Sequence, residues 1–249
     1  MSIIQLGTPK PAYYKDILMR ANPSLHEEAF AVLQKNMPSG TNVVDLGAGQ
    51  GAFSIRMADA GYAVTAVDKN VEDFRAPGVG FLPVNFDFGS EVESFTEQHR
   101  NKFDAAIGME VIEHVENPWD YCRLLLSLVR PGGIVLITTP NIESVHSRVN
   151  FLFSGMFEHF SIEDFHGSGH INPLAFHELQ IVARGVGAEI VSVQTLCPLP
   201  WLIISRRIST IFKSLVSAIL RPFMGPNARG DIICMVLRKP AVPASAVSG

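Results

Sequence analysis

The sequence predicts an α/β fold built on a parallel sheet, and three observations carry that expectation. Short apolar runs rich in β-branched residues alternate with segments that carry helix start and stop signals. A glycine-rich turn follows the first of those runs directly and opens a helix. The chain is long and apolar enough to cover a sheet on both faces, with 249 residues of which 47% are hydrophobic and 18% charged.

The strands are expected at 43–46, 62–68, 80–84, 103–108 and 133–139, each nearly continuous in apolar residues. Strands buried on both faces read that way, and right-handed crossovers join them into a parallel sheet. Helix starts are expected at Ser24 with Glu27 and at Ser90 with Glu93, both spaced as a capping box, and at Asn117-Pro118. Pro38-Ser39-Gly40, Gly61 and Pro131-Gly132-Gly133 mark helix ends. After Thr139 the pattern changes to a polar and aromatic connection over 140–172, then a helix over 173–186 and strands over 189–196 and 231–239. The intervening stretch, 197–230, is too long for a hairpin loop and reads as an insertion. The tail 240–249 reads as frayed coil.

Charge and cysteine usage exclude several function classes. Twenty basic against 24 acidic residues give a net charge of −4, which offers no global pull on nucleic acid. Three scattered cysteines make neither a disulfide framework nor a zinc site. The start MSIIQLGTPKPAYYK has no long apolar run, so no signal peptide is expected, and no segment reaches the ~18 apolar residues of a membrane span. These features lead to the expectation of a cytoplasmic protein.

The strongest motif is VVDLGAGQGAFS at 43–54. Its glycines permit positive φ and let a ligand approach the backbone at the carboxyl edge of the sheet. Seventeen residues beyond Gly51, Asp68 ends the next strand, where a carboxylate can accept both hydroxyls of a ribose. The loop also fits the dinucleotide pattern through Gly47, Gly49 and Ala52, and glycines serving only a tight turn are the plain alternative.

The run Asp45-Leu46-Gly47-Ala48-Gly49-Gln50-Gly51 resembles motif I of class I S-adenosylmethionine-dependent methyltransferases. AVDKN (66–70), the stretch with Asp87, FDAAIGMEVIEHVENP (103–118) and VRPGGIVLITTPN (129–141) follow in that family's order. The resemblance covers roughly 40–196. It implies a Rossmann-like sheet, mostly parallel with an antiparallel last strand, and a helical insertion before that strand. It also implies one methyltransferase domain over 1–239, with an N-terminal cap (1–38), a substrate lid (140–172) and a basic amphipathic insertion (197–230). S-adenosylmethionine is the implied cofactor, held by Asp45, Gly47, Ala48, Gly49, Gly51, Asp68, Lys69, Asp87, Phe88, Met109 and Tyr14. A nicotinamide dehydrogenase would not explain Asp45 or the later landmarks.

An oxygen acceptor needs a base for its proton. His170, in GHINPL before the last amphipathic helix, is the first candidate, followed by His166 and His114. Glu110-x-x-Glu113-His114 resembles a motif of quinone-pathway O-methyltransferases. Its two readings are a weak divalent-metal site and a pair of carboxylates that order the loop. His26, His99 and His177 read as solvent-facing. Phe151, Phe153, Phe157, Phe160 and Phe165 read as the core of the lid.

From Ile190 to Gly230 there is no acidic residue. Trp201, Ile204, Ile208, Ile211, Phe212, Leu215 and Ile219 recur at helical steps, with Arg206, Lys213, Arg221 and serines opposite. A 201–221 helix of this kind suits either an anionic membrane surface on the inner face, or packing within the domain or a homodimer. The resemblance to enzymes of bacterial cell-surface polysaccharide biosynthesis points first to a sugar hydroxyl on a small-molecule or glycan acceptor. A quinone precursor comes second, and a non-catalytic cofactor-binding scaffold third.

Overall fold

The computed structural model describes residues 4–6, 11–86 and 89–241. In chain order the strands and α-helices are β1 (Ile4–Leu6), β2 (Ala12–Tyr14), β3 (Ile17–Met19), α1 (Leu25–Asn36), β4 (Asn42–Leu46), α2 (Ala52–Asp59), β5 (Ala63–Asp68), β6 (Gly80–Pro83), α3 (Gly89–His99) and β7 (Phe103–Met109). They continue as α4 (Pro118–Leu128), β8 (Val129–Pro140), α5 (Val145–Ser154), α6 (Ile162–Gly167), α7 (Phe176–Gly185), β9 (Glu189–Pro198), β10 (Leu202–Ile204), α8 (Ile208–Leu220) and β11 (Gly230–Arg238).

Seven strands form one sheet in the order β6-β5-β4-β7-β8-β11-β9. All pairings are parallel except those of β11, which runs antiparallel to both β8 and β9. The expected α/β class and antiparallel last strand are therefore found. The strand order reverses between β4 and β7, so a cleft opens at the carboxyl ends of those strands.

Side-chain alternation splits the core into two layers. Val44, Leu46, Ala106, Val135 and Met235 pack with α4 and α7 on one face. Val43, Ala105, Ile107, Leu136 and Val236 pack with α1 and α2 on the other. Both faces are covered, which explains the unbroken apolar strands. Asp45 lies on the α2 side, where Ser54 donates a 2.5 Å hydrogen bond to it.

Local signals were read with mixed success. Asn117 caps α4, its side chain accepting from the amides of Trp119 and Asp120. Ser24 does not cap α1, and its hydroxyl turns to Asn22 instead. Ser90 falls inside α3. The two-way capping box belongs to Ser161 and Asp164 at α6. Pro131-Gly132-Gly133 does not end a helix. α4 stops at Leu128, and the three residues make an irregular start to β8, with Gly132 at φ +80° donating to the Lys239 carbonyl while the Lys239 amide donates to the Gly133 carbonyl.

The basic insertion departs most from expectation. Trp201 and Ile204 are not helical; β10 pairs in parallel with β1, and the helix covers only Ile208–Leu220. Its serine face points inward, with Ser214 and Ser217 buried and Ser214 Oγ accepting from the Ile203 amide at 2.6 Å. Arg221 is buried too, donating to the carbonyls of Leu199 and Pro200 and lying 4.7 Å from the Trp201 ring. The apolar row is left outside.

His26 is buried, contrary to its solvent-facing reading, and meets Phe53 edge-on at 5.3 Å. His99 is half-buried between the Phe95 and Phe103 rings. Burial, aided by the nearby Arg56 charge, lowers the His26 pKa to about 4. The unfolded chain therefore binds a proton at His26 that the folded chain refuses between about pH 6.5 and 4. Stability from this group is present above that window and is lost as pH falls through it, by about 3 kcal/mol in all. Urea unfolding of wild type and His26→Leu from pH 7 to 4 should show that difference. A constant gap between the two across the range would contradict it.

Candidate active site

A cavity of about 820 Å³ opens at the carboxyl edge of the sheet. One wall is the glycine loop between β4 and α2. Gly47 and Ala48 donate to the Val67 carbonyl at 2.8 and 3.1 Å, and Gly49 donates to Asp68 Oδ2 at 2.8 Å. Asp68 Oδ1 also accepts from the Asn70 amide at 3.0 Å. The carboxylate at the end of β5 thus holds the loop in shape.

The three glycines do different work. A Cβ on Gly47 would collide with Val111, and one on Gly51 would lie 2.6 Å from the Phe74 ring. Those two positions are required by packing and by positive φ. Gly49, at φ +53°, faces the cavity, and a Cβ there would meet nothing within 4 Å. Among the three it is the glycine beside which the cavity is open.

The opposite wall carries the histidines. His170 Nδ1 lies 2.8 Å from the backbone carbonyl of His159, so the proton sits on Nδ1 and Nε2 keeps its lone pair. His114 Nδ1 makes the equivalent contact with the Gly169 carbonyl at 3.2 Å, and the two rings meet edge-on at 4.7 Å. Burial lowers the pKa of both rings. His159 behaves differently. Burial alone would lower it, but Asp231 Oδ1 at 3.2 Å holds it as an imidazolium, with a pKa raised to about 9. Asp231, which burial alone would raise, is kept ionised by His159 and by Asn22, whose amide donates at 3.1 Å.

Three further carboxyls, Glu110, Asp45 and Glu113, lie at or beside the cavity. Glu110 has a left-handed backbone, φ +53°, and exchanges hydrogen bonds with Thr138 at 2.9 and 3.0 Å. Burial pushes it up to about 7. Asp45 is raised to about 6, again by burial. Glu113 is fully buried, and burial and the adjacent Glu110 hold its carboxyl well above the usual range. Glu113, His114 and His170 bring ligand atoms within 4.8 Å of one another, a spacing a metal could use. The same three residues also make a polar cluster that orders the wall.

Of the residues singled out in the sequence, Asp45, Gly47, Ala48, Gly49, Met109, Glu110, His114 and His170 line the cavity. Asp68 and Gly51 support the loop from behind. Tyr14 is placed elsewhere: its hydroxyl donates to Asp59 at 2.8 Å and its ring lies under Arg56. His166 is exposed against Phe165, away from the cavity, and Lys69 is exposed beyond β5. Asp87 and Phe88 lie outside the described residues. Sequence reasoning missed Arg20, Asn22, His26 and Asp231, and gave His159 no role, although all five line the cavity. One signal was available for Asp231, the first acidic residue after the acid-free stretch.

Comparison with known proteins agrees with this architecture. The family described as "Methyltransferase domain" matches residues 14–193. The chain resembles a ubiquinone biosynthesis O-methyltransferase of Caulobacter vibrioides, 33% identical over 105 residues, and one of Aromatoleum aromaticum, 38% identical over 110 residues. Those matches cover 41% of this chain and only 42% and 45% of the relatives' lengths. Among solved structures, a SAM dependent methyltransferase from Archaeoglobus fulgidus superposes with a TM-score of 0.60 at 16% identity, over 86% of this chain and 94% of that one. The cyclase SpnF superposes with a TM-score of 0.57 at 17% identity, over 93% of this chain and 88% of that one. The fold alone therefore does not fix the reaction.

The His159–Asp231 pair makes a direct prediction. Replacing Asp231 with Asn removes the charge that sustains the imidazolium, so the His159 pKa should fall from about 9 to 6.5 or below. Titration of the histidine ring signals by NMR reads this. An unchanged value would mean that another group holds the proton.

Proposed function

We propose that this chain, which belongs to the methyltransferase domain family, transfers a methyl group from S-adenosylmethionine to a phenolic hydroxyl of a quinone-precursor type. The observation that carries the reading is His170: its Nδ1 proton is committed to the His159 carbonyl, so a neutral Nε2 is available at the cavity. The glycine loop forms the other wall.

The residues present suit the cofactor. The space above Gly49 is the cradle, bounded by Ala48 and Met109. In this reading Asp68, whose carboxylate accepts from the amides of Gly49 and Asn70 at the end of β5, also receives the ribose hydroxyls. When bound, S-adenosylmethionine supplies an electrophilic methyl whose leaving group departs as a neutral thioether without protonation. The protein's share is to align the acceptor oxygen within about 3–3.5 Å of the carbon and to remove its proton. Nε2 of His170 takes that proton as the new C–O bond forms, and solvent later receives it. His159, already protonated, serves as a fixed positive charge beside the base.

Acidity favours a phenol over a sugar hydroxyl. A phenol ionises near pH 10, as tyrosine does, while an alkyl hydroxyl lies several units higher, toward the 15.7 of water. An imidazole with a lowered pKa is a weak base, and the more acidic acceptor suits it. The named relatives point the same way. This order reverses the one drawn from the sequence, where the sugar came first.

His170→Ala should lower kcat by about 10²–10⁴-fold and leave S-adenosylmethionine binding near wild type by calorimetry. Gly49→Val should abolish that binding by filling the cradle. The wild-type rate should be flat at neutral pH and fall as pH drops through the His170 pKa, below 6.5, because the base must be neutral. Activity should survive a chelator. Loss with chelator and restoration by Mg²⁺ would replace the base with a metal at Glu113, His114 and His170. Tight cofactor binding with no turnover on any phenol would sink the acceptor assignment.

A further inference from the structure

The inward turn of the serine face leaves α8 with an apolar side that no part of the described chain covers. Ile208, Phe212, Leu215 and Ile219 follow one another at helical steps, 84%, 52%, 49% and 67% exposed, and Phe223 just beyond the helix is 85% exposed. The row does not stop at α8. Phe153 of α5 meets Phe212 at 5.5 Å, and its neighbour Leu152 is 71% exposed. Exposed apolar surface contributed by two adjacent helices is the mark of an interaction site.

Charge indicates the partner. The stretch 190–230 has no acidic residue, and Arg206, Arg207 and Arg229 are exposed without an ion pair among the described residues. The other two cations of the stretch are occupied. Arg221 is buried on the Leu199 and Pro200 carbonyls, and Lys213 donates to Asn150 Oδ1 at 2.6 Å. Arg206 and Arg207 stand at the N-terminal end of α8, which has no side-chain cap. A helix macrodipole disfavours cations there, so their placement serves something other than the helix. No helix among the described residues is long and apolar enough to cross a membrane.

We propose that α8, with the adjoining side of α5, docks this protein onto the surface of an anionic lipid bilayer. The apolar row enters the acyl boundary and the arginines meet the head groups. α5 leads directly into the segment that carries His159 and His170, so docking brings the lid wall of the cavity to the membrane. The proposal needs no particular acceptor. Its test reads lipid binding alone, and it can fail while the methyl-transfer reading stands.

Vesicles of phosphatidylcholine, alone or mixed with phosphatidylglycerol, are floated with the full chain at low and high salt. Wild type should float with the mixed vesicles at low salt and less at high salt, where screening weakens the arginines. The double variant Phe212→Ser/Ile219→Ser should lose at least about tenfold in affinity, given what two large side chains contribute on burial. Both residues are exposed, so its thermal unfolding should match wild type. Arg206→Glu/Arg207→Glu should lose the preference for phosphatidylglycerol. Wild type left at the bottom at low salt overturns the proposal, and equal flotation on phosphatidylcholine alone overturns the anionic assignment. Sedimentation equilibrium supplies the remaining arm. A dimer dissolved by Phe212→Ser/Ile219→Ser, in protein that binds no vesicles, makes the face a contact between copies and overturns the membrane reading.

Discussion

One partly buried carboxylate gathers the elements around the cavity. Asp231, at the start of the antiparallel strand, accepts from Asn22 of the N-terminal segment and from His159 between α5 and α6, while its backbone carbonyl accepts from Asn141 just beyond β8. Three stretches far apart in sequence are thereby fixed to the sheet edge. His159 then passes the constraint on, because its carbonyl orients the His170 ring. An ion pair of this kind is costly to desolvate and is retained where removing one partner would leave the other charge stranded. Its effect here is positional. The proposed base has a defined tautomer because the segment that carries His159 is held in place.

The cavity's two walls are built on different principles. The glycine-loop wall is a backbone device, with amides pinned to the Val67 carbonyl and the Asp68 carboxylate. The histidine wall is a side-chain network whose backbone is strained at two points, Glu110 at φ +53° and His159 at φ +67°. Non-glycine residues in that region cost about 1–3 kcal/mol each and persist where surrounding bonds over-determine them. Thr138 supplies such bonds to Glu110, and Asp231 to His159.

Much of the fold was legible because its signals are local. Continuous apolar strands, the Asn117-Pro118 cap and the turn glycines Gly40 and Gly61 each depend on a few neighbouring residues. The glycine loop was legible for the same reason, although the sequence did not distinguish Gly49, beside which the cavity is open, from Gly47 and Gly51, which fit under Val111 and Phe74. What stayed hidden is long-range. Nothing near Asp231 announces Asn22 or His159, which lie 209 and 72 residues away. The α8 reversal has another cause. A helical periodicity separates an apolar side from a polar one, but it does not say which side the protein covers. Here the Ile203 amide needed an acceptor and Ser214 supplied it, which turned the serine face inward.

Three histidines within one wall illustrate how environment assigns roles to identical side chains. His114 and His170 each face a backbone carbonyl, and burial favours their neutral forms. His159 faces Asp231 and is held as a cation despite comparable burial. Titratable groups pushed apart in this way mark an acid–base site, because one pH then sustains both a proton acceptor and a fixed charge. The separation also protects the acceptor. Burial is what chiefly lowers the His170 pKa, and the charge on His159 acts in the same direction. The ion pair that holds the His159 segment is therefore coupled to the protonation of the proposed base.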